Sequence, residues 1–237
     1  MSAPEHGGKT TVFILPGLLG TVASDWAPHW EQIRNAGYEP VGVDWPGHGT
    51  DSSHLDHFTI AGLVEHVLAK MDTVETNPCL LWGYSLGGYI GLEVERQQPG
   101  RLSGLWMHAT KFYWTDDEIA AFREQFDPET MPAKYRETLQ KIHGERWEEL
   151  LTANIALFDE IVDNGLTDDD LEIIRMPVLV TTGDQDDLVK SDEVEQLADI
   201  LMNGELSILS GVRHPLHSSR SSLILPAGIE FSDRVLG

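Results

Sequence analysis

The chain has 237 residues with 39 acidic and 16 basic side chains, a formal net charge of −23 at neutral pH. So acidic a surface repels nucleic acid and anionic membrane and argues against both as partners. An apolar fraction of 41% suffices for a packed core and argues against disorder, and no apolar run approaches the ~18 to 20 residues of a membrane helix.

The opening stretch Met1 to Lys9 has no basic segment followed by an apolar one, so it does not read as a secretory signal. Cys79 is the single cysteine and cannot make an internal disulfide, which fits a cytoplasmic protein. Thr11-Val12-Phe13-Ile14-Leu15 reads as a buried strand stopped by Pro16-Gly17. A helix follows from Ala27 to Ala36, closed by Gly37, and then a strand, Pro40 to Asp44, ended by the turn Pro46-Gly47-His48-Gly49. Thr59 to Asp72 reads as a longer helix. Cys79-Leu80-Leu81-Trp82 is a third strand, followed by Gly83-Tyr84-Ser85-Leu86-Gly87 and a helix to Gln98.

Leu102 to His108 is the next strand. From Lys111 to Ile174 the pattern is helical only, with acidic faces and interruptions at Asp127-Pro128, Met131-Pro132, Gly144 and Gly165. About three helices in series fit this interval. Strands return at Pro177 to Thr182 and Glu205 to Leu209, with helices from Asp192 to Met202 and from Ser222 to Val235. Such alternation predicts an α/β fold: a mostly parallel sheet of about six strands covered by helices on both faces. Residues 1–110 and 175–237 would form one core, and residues 111–174 a helical lid over the carboxyl edge of the sheet.

The stretch around Ser85 carries the chemistry. A serine on a sharp turn between strand and helix has its hydroxyl lifted clear of the backbone, and flanking glycines remove side chains that would clash in so tight a bend. A serine hydroxyl is a weak nucleophile at neutral pH and needs an imidazole to accept its proton, with a carboxylate to orient that imidazole. Asp184, Asp186 and Asp187 crowd the loop after the strand ending at Thr182. His214 and His217 follow the last strand in Gly211-Val212-Arg213-His214-Pro215-Leu216-His217.

In order and spacing these motifs resemble the α/β-hydrolase fold family, over nearly the whole chain from Thr11 on. The resemblance implies a triad in the order serine, acid, histidine. It carries the acid to Asp186, the second aspartate of a G-D-x-D-x-x-V pattern, and the base to His214, leaving His48 as a turn element. It also implies an oxyanion hole made from the backbone N–H groups of Leu86 and of Leu18, in the loop Pro16-Gly17-Leu18-Leu19-Gly20. Many relatives have His-Gly where this chain has Pro16-Gly17, and many begin with two further antiparallel strands for which the stretch before Thr11 is too short.

These residues imply a serine hydrolase acting on a small, largely apolar carboxylic ester, without metal or cofactor. A C–C bond hydrolase, a lactonase and a ligand-binding signalling protein on the same fold are the competing readings. Leu19 and Tyr84 are expected to line the substrate pocket beside the oxyanion hole, and Trp114 to close it from the lid. Lys111, a cation at the carboxyl edge of the sheet, is expected to meet a substrate carboxylate or to pair with a lid acid such as Asp116 or Asp117.

Overall fold

The computed structural model describes residues 10–74 and 78–237; the stretch read above for a signal lies outside them. Six strands form one sheet: β1 Thr10–Leu15, β2 Tyr38–Gly42, β3 Cys79–Tyr84, β4 Leu102–His108, β5 Val178–Gly183 and β6 Gly204–Leu209. Their order is β2-β1-β3-β4-β5-β6, and every neighbouring pair is parallel. Helices join them: α1 Val22–Asp25, α2 Trp30–Asn35, α3 Ile60–Met71, α4 Leu86–Gln97, α5 Asp116–Gln125, α6 Ala133–His143, α7 Trp147–Asn164, α8 Asp168–Glu172, α9 Ser191–Ile200 and α10 Ser221–Leu236.

Alternation along each strand splits the core into two layers. Phe13, Leu15, Leu81, Leu105, Met107, Val178 and Val180 face α3, α4 and α9. Val12, Ile14, Leu80, Trp82, Trp106 and Leu179 face α2 and α10. The second layer is aromatic. Trp82 meets Trp106 edge-on at 5.0 Å, and Trp26 meets Trp106 edge-on at 6.1 Å. Burying an indole requires a partner for its N–H, and the chain supplies one each time: Trp82 donates to Ser232 and Trp106 to Thr181, both at 2.9 Å.

β2 begins and ends two residues earlier than its hydrophobic run suggests. Pro40 lies inside it, opposite Val12, which an outermost strand tolerates because its missing N–H would face outward.

Between β4 and β5 the sheet connection is interrupted by four helices, α5 to α8, rather than about three. Threonines cap two of them: Thr115 accepts from the N–H of Glu118 while the Glu118 carboxylate accepts from the N–H of Thr115, and Thr167 pairs with Asp170 in the same way. The acidic run Asp168-Asp169-Asp170 occupies the first turn of α8, where carboxylates meet the positive end of the helix dipole. Leu139, Trp147, Leu150 and Leu151 from this insertion pack on Leu19 of the core.

Candidate active site

β3 ends at Tyr84 and α4 starts at Leu86, leaving Ser85 alone in the turn with φ 51° and ψ −114°. A non-glycine residue there is strained by about 1–3 kcal/mol and needs its surroundings to hold it. The Ser85 N–H donates to the His108 carbonyl at 2.9 Å, and its carbonyl accepts from Gly88 N–H and the Thr110 hydroxyl, both at 3.0 Å. The bend is too tight for side chains on either flank. A Cβ on Gly83 would lie 2.3 Å from the Gly87 backbone, and one on Gly87 would lie 2.7 Å from Leu15. Two other non-glycine residues share positive φ among the described residues: Leu19 at 55° and Ala109 at 54°. Both follow the carboxyl ends of strands beside β3, so backbone strain concentrates around Ser85.

The loop after β5 sorts its three aspartates. Asp186 Oδ2 lies 2.9 Å from His214 Nδ1. Its other oxygen accepts from the N–H groups of Leu188 and Val189 at 2.9 and 2.8 Å. Burial alone would raise the Asp186 pKa; the bond to His214, its charge and those two amides outweigh this and hold the carboxyl below its ordinary value. Asp184 instead points at the loop before His214, accepting from Ser210 Oγ and Gly211 N–H at 3.1 and 2.7 Å. Asp187 is exposed at the cavity rim. His217 is also exposed and lines the cavity; the Asp186 bond goes to His214.

Gly17, Leu18 and Leu19 run past Ser85 with their peptide groups taken in turn. Gly17 N–H donates to Asp25 Oδ2 at 2.9 Å, and Gly17 carbonyl accepts from Trp45 Nε1 at 3.0 Å. Leu19 N–H donates to Asn154 Oδ1 at 3.3 Å, and its carbonyl lies 3.0 Å from His143 Nε2. Among the described residues neither Leu18 N–H nor Leu86 N–H has a protein acceptor.

Ser85 and His214 open into one cavity of about 1040 Å³. Leu18, Leu19, Tyr84, Leu86, Lys111 and Trp114 all line it. Tyr84 is fixed by its hydroxyl, which donates to the His214 carbonyl at 3.0 Å. Trp114 meets Phe158 edge-on at 4.8 Å and Phe122 at 5.1 Å, giving an aromatic wall from the insertion. Lys111 takes the second of its two expected roles and pairs with an acid of the insertion, Glu118 rather than Asp116 or Asp117. Its ammonium is buried, bonded to Glu118 at 2.8 Å and to Glu193, and it stands over the Trp114 ring. Two carboxylates already compensate that cation, and it holds α5 to α9 instead of waiting for an anion.

Several residues around the site carry no sequence motif. Asp25 and Asp44 line the cavity, and burial raises the pKa of both carboxyls. Asn154 and His143 lie behind the loop at Leu19 and come from the insertion, far from the core motifs in sequence. The one hint in the chain is that His143 precedes the helix-ending Gly144.

The parallel sheet covered by helices has its counterpart in a known family. The chain belongs to the alpha/beta hydrolase family, whose model matches residues 12–224. It is a hydrolase. Among similar sequences are the serine hydrolase BPHL of Mus musculus, 20% identical over 89% of this chain and 75% of that one, and the (E)-2-((N-methylformamido)methylene)succinate hydrolase of Acinetobacter baylyi, 24% identical over 89% and 85%. Among solved structures, the enol-lactonase from Burkholderia xenovorans superposes with a TM-score of 0.77 at 18% identity, covering 97% of this chain and 94% of that one.

Proposed function

We propose that this hydrolase cleaves small, largely apolar carboxylic esters through an acyl-enzyme on Ser85. The observation that carries this reading is the 2.9 Å contact between His214 and Asp186, made at the cavity into which the strained Ser85 turn opens. Asp186 accepts from Nδ1–H of His214, which leaves the other ring nitrogen free to take the Ser85 proton. The serine oxygen then attacks the ester carbonyl. Leu18 and Leu86 N–H groups, free of protein acceptors, stabilise the oxyanion. His214 returns the proton to the departing alcohol, and a water activated by the same ring releases the acid.

The aromatic wall and the compensated Lys111 favour an apolar group over an anionic one on the insertion side of the cavity. Helices α5 to α8 act as the lid. Lactones fit the same chemistry because the scissile bond is again an ester.

Turnover of p-nitrophenyl butyrate, with a mass-detected phosphonate adduct on Ser85, tests the reading. Ser85→Ala should abolish both while leaving the circular dichroism spectrum unchanged, since the hydroxyl supports no packing. Persistence of ester hydrolysis in Ser85→Ala would refute it.

A further inference from the structure

The Gly17–Leu19 loop is held on two sides by different parts of the molecule. Asp25 and Trp45, both of the core, take the N–H and carbonyl of Gly17. Asn154 of α7 and His143 of α6, both of the insertion, take the N–H and carbonyl of Leu19. Leu18 stands between the two clamps, and Leu19 is one of three non-glycine residues with positive φ among the described residues. The loop is a turn closed by Gly20 N–H on the Gly17 carbonyl at 3.1 Å, and the two bonds from the insertion add to that single restraint on a residue whose positive φ is costly.

The wiring of the insertion clamp is unambiguous. His143 Nδ1 accepts from Gly49 N–H at 3.1 Å, so Nε2 carries the proton and donates to the Leu19 carbonyl. His48 Nδ1 faces the Pro46 carbonyl at 3.0 Å, so that nitrogen carries the proton and Nε2 accepts from Asn154 Nδ2 at 2.9 Å. Asn154 donates its second N–H to the Leu150 carbonyl at 2.8 Å, which turns Oδ1 toward Leu19. Asn154 is fully buried and His143 nearly so. Every donor and acceptor in the chain Pro46–His48–Asn154–Leu19–His143–Gly49 has one partner and one orientation.

We propose that His143 and Asn154 are positioning residues of the oxyanion hole: held to Leu19, they keep Leu18 N–H directed at the carbonyl that Ser85 attacks. The inference rests on the serine-esterase reading above and adds to it that the insertion sets the rate as well as the pocket shape. The Leu18 N–H shares one planar peptide unit with the Gly17 carbonyl, which accepts from Gly20 N–H at 3.1 Å as well as from Trp45. A displaced Leu19 carries Gly20 with it and tilts that unit, and a donor misdirected by a few tenths of an ångström loses its grip on an oxyanion more than on a ground-state carbonyl.

The test compares wild type with Asn154→Ala, His143→Ala, His143→Gln and His143→Asn. Three readouts serve: p-nitrophenyl butyrate kinetics, thermal unfolding, and inhibition by an alkyl trifluoromethyl ketone, whose serine adduct carries the oxyanion. Both alanine variants should lose about 10- to 100-fold in kcat, a share of the ~100- to 1000-fold for losing a donor outright. KM should stay within about threefold, the pattern of an interaction made in the transition state. Ketone affinity should weaken in step with kcat/KM. His143→Gln, which keeps a donor within reach of the Leu19 carbonyl, should recover most of the loss. His143→Asn keeps an acceptor for Gly49 and loses only the reach to Leu19, so it reports the same split if the alanine variants do not fold. Unchanged kcat and ketone affinity in folded variants, or a loss confined to KM, would overturn the proposal while leaving the Ser85 reading intact. A wild type that neither turns over the ester nor binds the ketone would overturn both.

Discussion

Three aspartates within four positions, Asp184, Asp186 and Asp187, do different work because their backbone neighbours differ. Asp186→Asn should lower kcat by about 10³- to 10⁴-fold, since an amide in that place supports the wrong histidine tautomer. Asp184→Asn should cost far less in kcat and show mainly as lower thermal stability, through the lost contacts to Ser210 and Gly211. Steady-state kinetics beside melting curves on the two variants separate the roles; a dead Asp184→Asn with normal melting would reverse the assignment. Ser85 and the pairing of Asp186 with His214 were legible because they lie on short loops at strand ends, where position along the chain sets position in space. Asp25, Asn154 and His143 were not. Each meets the site through a tertiary contact spanning from eight to 135 residues, and neither periodicity nor local motif encodes a contact at that range. For Lys111 an acid of the insertion was legible as a partner, but Glu193, 82 residues away, was not.

At the scale of elements, strand–helix alternation gave the sheet with its six strands, because both faces are covered and the inner strands β3 and β5 are buried along their whole length. The insertion was less legible. Its helices carry charges on most faces, and α8 is five residues long, too short to show a period. Residues of α5, α6 and α7 line the cavity, and the lid proposed above would make them a size filter. Trp114→Ala opens space against Phe122 and Phe158. In a series of p-nitrophenyl esters, that variant should shift the optimum toward longer acyl chains, with most of the change in KM. An unchanged chain-length profile would make that wall a packing surface alone.

The whole molecule carries two consequences of its titrating groups. Burial lowers the pKa of His29, His143, His48 and His108, the last two to about 4 and about 3. The unfolded chain protonates these rings near ~6.5 and the folded one does not, so the folded state loses stability as pH falls through that window. Each such ring contributes a slope of about 1.4 kcal/mol per pH unit. Asp25 and Asp44, raised by burial, act in the opposite sense: their contribution is present at low pH and lost as pH rises through their folded values. Four rings against two carboxyls leave acid destabilising. Urea midpoints should drop between pH 7 and pH 5, and His48→Gln should flatten the slope. Salt acts on the other excess. With a net charge of −23, added sodium chloride should raise the melting temperature most steeply at low concentration, because the Debye length falls from roughly 10 Å at 0.1 M to ~3 Å at 1 M. A flat response would mean that the carboxylates are already locally compensated.

The interruption between β4 and β5 bears on how such a chain can change. His108 pairs with Thr181 across it, so closing the sheet means closing a long loop. Loop-closure entropy grows only with the logarithm of length, about 0.6 kcal/mol per doubling. The sheet is therefore nearly indifferent to what is spliced in, and a pocket roof can be exchanged, lengthened or shortened at little thermodynamic penalty. If Leu19 is clamped by whatever roof is present, that freedom stops at two hydrogen bonds. A transplanted roof that fills the same volume but lacks counterparts of His143 and Asn154 would leave a well-folded, correctly shaped and slow enzyme, for which selection would have to find the clamp again.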